Sequence, residues 1–196
     1  MNAPLNALAN TRAGMKLDKR AFLQWVQTQE RRCELKNDEV IMHPGVSRDH
    51  AVLVGRFVIG LGSRLDPDAW NVSPADFAVE VGPDIRYPDV LVERVHLDGA
   101  ALSTDAPIVL VEVLSPSSVG TDMVEKLAEY TSLPSLEAYL VASQEAPICW
   151  MWQRGGVSRE FPKTPQEIAG RDKVIEIAAL GVSLPMAEVY RGVGTG

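Results

Sequence analysis

The feature that most constrains this chain is a run of six residues, Val109 to Leu114, in which five apolar side chains accompany one acid, Glu112. Short apolar runs bounded by turn-forming residues predict a buried strand. A carboxylate inside such a strand is unfavourable by several kcal/mol unless its ionised oxygens meet a cation or hydrogen-bond donors. The fold must therefore bring a positive charge, a donor or a metal ion to Glu112.

A second acid, Asp89, follows Pro88 near the start of another apolar strand, which is predicted over residues 87–95. If this strand neighbours the one that carries Glu112, the two carboxylates face each other, and both can place an oxygen ~2.1 Å from one Mg²⁺ ion. Glu93 lies ~13 Å from Asp89 along the strand and is predicted to be a solvated charge at the strand end. The alternatives are a turn aspartate at position 89 and a buried salt bridge at Glu112.

A helix predicted over residues 119–132 follows the Glu112 strand, and residues 115–118 supply its caps. Lys126 borders the apolar stripe of this helix. Its side chain can therefore reach back toward the strand end and orient a nucleophilic water or stabilise negative charge. The competing interpretation is a surface pair with Asp122, four residues earlier, which contributes only ~0.2–0.5 kcal/mol.

The charge balance limits the kind of nucleic-acid contact that this chain can make. Its 196 residues are 46% hydrophobic and 23% charged, which is typical of one globular domain of α/β or α+β type. With 26 acidic and 19 basic residues, the formal net charge is −7. This balance excludes a protein that coats nucleic acid through a broad positive surface, so any such contact is predicted to be local.

The cysteines and the apolar segments indicate the compartment. Cys33 and Cys149 form no CxxC pair, so neither a disulfide framework nor a zinc site is predicted, and a reducing cytoplasm fits best. The first residues lack the apolar stretch of a secretory signal, and no run approaches the ~18 apolar residues of a membrane span. We expect a cytoplasmic protein without membrane contact, with a disordered N-terminus over residues 1–15 and a single domain over 16–196.

The pattern of elements predicts a sheet that is preceded by two helices. A helix capped by Asp18 is predicted to end near Glu30, and one capped by Ser47 is predicted to end near Leu65. Two short strands are predicted between them, over residues 33–43, so we expect an N-terminal helix-hairpin-helix extension. Further along, short runs divided by Pro, Gly and Asp predict strands at 70–73, 77–82, 87–95, 108–114, 137–143, 147–153 and 157–161.

The ordered set of these residues resembles a known family. Pro88-Asp89, then Glu112 within Val-Glu-Val-Leu-Ser-Pro-Ser, then Lys126 with Tyr130, is similar to the pattern of the Uma-type restriction endonucleases in the PD-(D/E)xK superfamily. The resemblance covers most of the chain, from about residue 18 to 190. It implies a restriction-endonuclease-like core of α+β (α/β) class, with a mixed central sheet flanked by helices. It also implies carboxylates that bind one or two Mg²⁺ ions.

The resemblance implies a role for each site residue. Asp89 and Glu112 are implied as ligands of Mg²⁺ or Mn²⁺, and Glu34, in the early strand, as an additional ligand or an acid behind the ligands. Lys126 is implied as the catalytic lysine beside Asp89 and Glu112. The chain departs from the superfamily motif at Leu114, where a lysine is expected two residues after the acid. In the Uma-type pattern, a lysine from the following helix takes that place.

Three further sites leave alternatives open. Arg86 is a candidate substrate-binding residue that contacts a DNA phosphate, or else the partner of a site acid in an ion pair. His50, in the first turn of the second helix, is also a candidate substrate-binding residue, although capping or packing is the favoured interpretation. Trp150 and Trp152 share one face of a strand, where core or dimer packing is favoured over stacking on a base.

The residues and the resemblance together predict a divalent-metal-dependent endonuclease that hydrolyses phosphodiester bonds of DNA. Because double-strand cleavage calls for two active sites, we expect a homodimer. The alternative is a catalytically inactive protein of the nuclease fold, which acts as a nucleic-acid-binding or protein-interaction module and holds its acids with internal arginines such as Arg86 and Arg94. A carboxylate-pair glycosidase has little support, because it needs two acids ~5–10 Å apart in an open cleft.

Overall fold

The computed structural model of the chain describes residues 15–42, 45–96, 98–114, 121–156 and 159–194, and for 121–123 it describes the backbone alone. Within these ranges, no helix is long and apolar enough to cross a membrane. A short 3₁₀ helix, Ala178–Leu180, lies between the last two strands. The elements, in chain order, are α1 (Lys19–Val26), β1 (Cys33–Lys36), β2 (Glu39–Met42), α2 (Arg48–Gly62), β3 (Trp70–Pro74), β4 (Ala78–Val81), β5 (Asp84–Arg86), β6 (Val90–Arg94), β7 (Ser103–Thr104), β8 (Val109–Leu114), α3 (Thr121–Thr131), β9 (Ala138–Ser143), β10 (Ile148–Gln153), β11 (Gln166–Ala169), β12 (Val174–Ile177), β13 (Val182–Pro185) and α4 (Met186–Val189).

The first two helices begin at the predicted caps but end earlier than predicted. Asp18 Oδ1 accepts from the Ala21 N–H at 2.8 Å, and Ser47 Oγ accepts from the His50 N–H at 3.1 Å. α1 ends at Val26 because Thr28 donates both its backbone N–H and its hydroxyl to the Trp25 carbonyl. Those bonds satisfy a carbonyl that the next helical turn would otherwise use.

The larger sheet places the Glu112 strand in its interior. Its strand order is β11-β10-β9-β8-β6-β3, with β8 parallel to β9 and antiparallel to β6. α3 makes the crossover between β8 and β9 that a parallel pair requires. One face of the sheet is covered by α2 and α4, through fully buried side chains such as Phe57 and Met186. The strand around Glu112 is therefore held by neighbours on both edges.

The smaller sheet lies against the other face of the larger one. Its strand order is β2-β1-β5-β4-β7, and it is mixed, because β4 and β7 run parallel whereas the other pairs are antiparallel. α1 packs on this sheet through Phe22 and Trp25. Val79 of β4 lies in one buried cluster with Leu110 of β8 and Tyr130 of α3. The predicted mixed α+β architecture with flanking helices is confirmed, but with two mixed sheets instead of one.

The predicted N-terminal helix, hairpin and second helix follow one another as α1, β1–β2 and α2, but a separate extension is not shown, because the hairpin is part of the smaller sheet and α2 packs on the larger one. β1 pairs with β5 of the smaller sheet, and α2 packs against β3, β6 and β8. The hairpin itself turns at Asn37 and Asp38, whose φ angles of 50° and 64° suit the tight two-residue turn of a hairpin. Asp84 Oδ1 accepts from the Asn37 N–H at 2.8 Å, which ties this turn to β5.

Several predicted boundaries differ from the structure. The strand predicted over 87–95 begins only at Val90, and residues 84–86 form a strand of their own. No strand is present at 159–161 in the described part of the predicted strand 157–161, where Gly155 and Glu160 form an isolated bridge. Residues 1–14, His43 and the predicted caps at 115–118 lie outside the described residues.

Candidate active site

Asp89 and Glu112 lie at adjacent positions on two neighbouring strands. β6 and β8 pair with Val90 opposite Val111, and one step further in this register Asp89 faces Glu112. Asp89 Oδ2 accepts a hydrogen bond of 2.8 Å from the Val113 backbone N–H. The buried backbone of β8 therefore holds the Asp89 carboxylate beside Glu112.

The Glu112 carboxylate is confined and is held through one oxygen. Its side chain is 13% exposed, and its Oε1 atom accepts from Lys126 Nζ at 3.0 Å and from Tyr130 Oη at 3.1 Å. Burial, together with the charges of the Asp89 and Glu34 carboxylates, raises the pKa of Glu112 to about 7, against the opposing charge of Lys126. Glu112 thus accepts hydrogen bonds from two donors and lies close to two other carboxylates, whose negative charges repel its own.

Helix α3 places Lys126 beside Glu112. Lys126 and Tyr130 are four residues apart, so they lie on the same face of the helix and meet Glu112 together. Lys126 Nζ also lies 3.8 Å from Glu34 Oε1, and the residue is 8% exposed. The side chain of Asp122, the alternative partner of Lys126, lies outside the described residues.

Glu34 enters the site from the smaller sheet and is fully engaged there. Its Oε2 atom accepts from Arg86 Nη1 at 3.1 Å, and its Oε1 atom accepts from the Tyr87 backbone N–H at 3.0 Å. Only 3% of its side chain is exposed. Each oxygen of Glu34 thus accepts a hydrogen bond from the Arg86–Tyr87 segment that precedes Asp89.

Arg86 is buried in an ion-pair network and not at the protein surface. Its side chain is 1% exposed, and it binds Glu129 through two hydrogen bonds of 2.8 Å each. Burial opposes the charged guanidinium, but hydrogen bonds and charges of Glu129 and Glu34 outweigh it and raise the pKa of Arg86. Of the two alternatives that the sequence left open, the structure shows the ion pair with a site acid.

His50 belongs to the site through its contact with Asp89. Its Nε2 atom lies 3.1 Å from Asp89 Oδ2, and its side chain is 7% exposed. The other ring nitrogen, Nδ1, is buried and has no hydrogen-bond partner among the described residues. The helix cap at Ser47 uses the backbone N–H of His50, which leaves the imidazole for Asp89. The backbone of His50 thus donates to the N-cap Ser47, while its imidazole contacts Asp89.

The donor set of the two strand acids fits a hard divalent cation. Asp89 Oδ1 and Glu112 Oε2 accept no hydrogen bond from the described residues, so each acid keeps an oxygen for a ligand. Mg²⁺ prefers oxygen ligands and is often bound by one or two carboxylates, with waters completing its shell. Within the described ranges, no three His, Cys, Asp or Glu side chains are grouped to hold a metal. Asp89 and Glu112 therefore each have one oxygen available for such a cation.

Sequence reasoning missed Glu129 and misjudged Glu93. Glu129 lies three residues after Lys126, and this i,i+3 spacing was the signal for a shared helix face. Glu93 is not a solvated strand end, since its side chain is 4% exposed and Oε1 lies 3.2 Å from His96 Nε2. Trp152 is buried and stacks on Tyr139, which agrees with the favoured core packing.

Comparisons with other proteins agree with the resemblance inferred from the site residues. The family model Uma2, described as "Putative restriction endonuclease", matches residues 20–187. Two relatives from Synechocystis sp. are "Uncharacterized protein slr1290", 24% identical over 180 residues, and "Uncharacterized protein sll1609", 25% identical over 166 residues. The alignments cover 90% and 82% of this chain, and 93% and 92% of the relatives.

A solved structure shares the fold. The crystal structure of "a putative nuclease belonging to DUF820" from Anabaena variabilis superimposes with a TM-score of 0.69 at 12% sequence identity. The match covers 86% of this chain and 96% of that one. At this identity the likeness shows the fold alone.

Proposed function

Since the chain belongs to the Uma2 family, whose description is "Putative restriction endonuclease", we propose that it is a divalent-metal-dependent endonuclease that hydrolyses phosphodiester bonds of DNA. Family and fold indicate a restriction-endonuclease-like nuclease. The observation that supports the finer assignment is Glu112, a confined acid that lies between Lys126 and Asp89 and keeps one oxygen for a ligand. A purely structural acid would be expected to have all its oxygens satisfied.

Asp89 and Glu112 are the proposed ligands of Mg²⁺ or Mn²⁺, and Glu34 is the proposed acid behind them. When bound, the metal supplies Lewis-acid polarisation of the scissile phosphate and lowers the pKa of a water. His50 and the Val113 N–H hold Asp89 Oδ2, so that Oδ1 is the oxygen left for the cation. Lys126 and Tyr130 hold Glu112 Oε1 in the same way and leave Oε2.

Lys126 is the proposed catalytic cation. Its ammonium group lies against Glu112 and close to Glu34, in a site where few charges are solvated. A fixed positive charge in such surroundings stabilises the negative charge that develops on a phosphate far better than it does in water. Lys126 therefore takes the part that the superfamily motif gives to the position occupied here by Leu114.

The proposed partners are DNA and a second copy of the chain. The net charge of −7 requires that the DNA contact be confined to the neighbourhood of the site. A homodimer supplies the two active sites that cleavage of both strands needs, and the mass in solution checks it. A cytoplasmic location stays a prediction, consistent with Cys33 and Cys149, which are both buried and free.

A plasmid-nicking assay tests the proposal. The protein is incubated with supercoiled DNA and Mg²⁺ or Mn²⁺, and the assay is repeated with Asp89→Asn and with Glu112→Gln. Each substitution keeps the size of the side chain and removes a charged ligand, so activity should fall by ~100-fold or more. Asp172→Asn, an exposed acid beyond β11 at the far edge of the larger sheet, is the control and should cleave normally. Cleavage that persists in both site variants contradicts the assignment.

A second candidate function, the inactive binding module, is favoured by the buried network around Arg86. This arginine holds Glu34 and Glu129 internally, as that alternative requires of at least one site acid. Arg94 does not do so, since its guanidinium lies over the Trp70 ring, 3.9 Å from the ring centroid. Titration calorimetry separates the two functions, because the inactive module should show no heat of Mg²⁺ or Mn²⁺ binding.

A further inference from the structure

The lysine of the proposed site lies on a helix, so its position depends on how that helix is held. Lys126, Glu129 and Tyr130 occupy positions i, i+3 and i+4 of α3 and share one of its faces. Lys126 and Tyr130 both contact Glu112, whereas Glu129 contacts Arg86 at the end of β5. The contact of Glu129 therefore attaches this face to β5 without involving Asp89 or Glu112.

Arg86 binds Glu129 in a bidentate geometry that fixes the orientation of the two side chains. Two parallel hydrogen bonds of 2.8 Å join Nε and Nη2 of Arg86 to the two carboxylate oxygens of Glu129. Such bidentate pairs constrain direction as well as distance. The remaining terminal nitrogen, Nη1, donates to Glu34 Oε2 at 3.1 Å, so one buried guanidinium joins α3 to both β5 and β1.

Arg86 also influences whether Lys126 pairs with Glu112 or with Glu34. Lys126 Nζ lies 3.0 Å from Glu112 Oε1 and 3.8 Å from Glu34 Oε1, so two carboxylates compete for one ammonium group. Arg86 already neutralises Glu34, and its charge lessens the attraction of Glu34 for Lys126. Without that charge, the Glu34 carboxylate would draw Lys126 away from Glu112.

We propose that Arg86, together with Glu129, is a positioning residue that orients α3 and occupies Glu34, so that Lys126 stays on Glu112. The proposal rests on the proposed function, in which Lys126 acts beside Glu112. It also gives a physical reason for the network: a lysine two residues after Glu112 would be placed by β8 itself. A lysine on a separate helix needs contacts that fix the helix relative to the sheet, because the position of a site residue is only as precise as the contacts that support it.

The first test measures the position of Lys126 without any nuclease assay. Metal-free protein is labelled with trace acetic anhydride at fixed pH, and the acetylation rate of each lysine is read by mass spectrometry. In Glu129→Gln, which removes the anchor of α3 and leaves Glu34 paired with Arg86, Lys126 should react about tenfold faster, as expected for residues coupled within one ion-pair network. In Arg86→Met, the Lys126 rate should also differ from that of wild type, because the ammonium group exchanges Glu112 for Glu34 as its partner. Arg171→Met removes an arginine that binds the Tyr190 and Val193 carbonyls instead, and should leave the Lys126 rate unchanged.

Glu129→Gln keeps the test decisive if Arg86→Met fails to fold. It preserves the size of the side chain and one acceptor oxygen, and it leaves the Arg86 pair with Glu34 intact. A Lys126 rate that is unchanged in this folded variant overturns the proposal. Because the labelling uses neither metal nor DNA, it remains informative even if the wild-type protein proves unable to cleave DNA.

The second test separates positioning from contact with DNA. In Glu129→Gln and Arg86→Met, kcat for nicking should fall while KM for DNA stays within about threefold, because the lost group acts through Lys126. If Arg86 instead bound a phosphate, DNA affinity would fall, and the slope of log K against log salt would shrink by about 0.9. An unchanged slope supports positioning, and a reduced slope in Arg86→Met overturns it. Arg86→Lys should not restore kcat, because a point charge cannot form the bidentate pair.

Discussion

At the residue scale, Glu112 binds its proton more tightly in the folded chain than in the unfolded chain, where it is exposed to water. Burial is the main cause, and the neighbouring carboxylates of Asp89 and Glu34 add to it, so the pKa rises from 4.5 to about 7 despite Lys126. An acid with a raised pKa favours the folded state most where it is protonated in both states, below its unfolded pKa. That contribution is lost as the pH rises toward the folded pKa.

Glu112 should therefore make stability fall between about pH 4.5 and pH 7 when no divalent metal is present. Between these values the folded state binds more protons than the unfolded state, so the free energy of unfolding decreases with pH. We expect Glu112→Gln, which does not titrate, to lose this part of the slope. Urea unfolding in EDTA at half-unit steps from pH 4.5 to 8 measures the difference between the two proteins.

The comparison is between slopes and not between absolute stabilities, because glutamine also changes the contact with Lys126. Asp172→Asn is the matched control, since that acid is exposed and pairs with its neighbour Lys173. Parallel curves for wild type and Glu112→Gln across this range would show that Glu112 ionises normally, and with it that the site is more open than its contacts indicate.

At the element scale, α2 carries two glycines whose surroundings are opposite. A Cβ atom added at Gly55 meets nothing within 4 Å, whereas one added at Gly60 lies 2.5 Å from Cδ1 of Leu184. Leu184 is fully buried in β13 and has little room to move. Gly60 therefore allows the close packing of α2 on β13, whereas Gly55 only weakens the helix.

Alanine at each glycine should separate these two effects. Gly55→Ala should raise the free energy of unfolding by ~0.8–1.0 kcal/mol, which is the difference in helix propensity. Gly60→Ala gains the same propensity, but overpacking against Leu184 costs ~1–3 kcal/mol, so the variant should be at most as stable as wild type. Chemical unfolding of both variants gives the values, and equal stabilisation by the two substitutions would contradict the packing argument.

Elements were predictable where their signals are local. Asp18 and Ser47 start α1 and α2 because an N-cap acts within three residues of its own sequence position. The prediction that Glu93 is a solvated charge was wrong because its burial depends on His96 and on the pairing of β6 with β3, where Asn71 lies opposite. The strand predicted over 87–95 began too early, and the separate strand at 84–86 was missed because its pairing with β1 and β4 of the smaller sheet is set by tertiary structure.

At the scale of the whole molecule, the site joins both sheets and the crossover helix. Alternation along neighbouring strands was enough to predict that Asp89 and Glu112 face each other. The pair of Arg86 with Glu129 was not predictable, because it joins residues 43 positions apart on elements that have no periodic relation. The sequence thus pointed to the two strand acids, whereas the packing of the two sheets against α3 determines which positively charged side chains contact the site acids.

A divalent cation should stabilise the whole molecule if Asp89 and Glu112 bind it. A ligand that binds only the folded state at 100 times its Kd adds ~2.7 kcal/mol, which raises Tm by ~5–10 °C for a chain of this size. Thermal unfolding in MgCl₂ or MnCl₂, against KCl of equal ionic strength, measures the shift. Asp89→Asn and Glu112→Gln should abolish it, whereas Asp172→Asn should keep it.

The pH dependence of this shift distinguishes the site from metal binding elsewhere on an acidic protein. A ligand acid must be ionised to bind a cation, so the proton and the metal compete for Glu112, whose pKa without metal is about 7. The rise in Tm should therefore be larger at pH 8 than at pH 6, at the same metal concentration. Surface carboxylates with ordinary pKa values are ionised at both pH values and would give equal shifts. A shift that is independent of pH, or absent in both metals, would favour the inactive binding module.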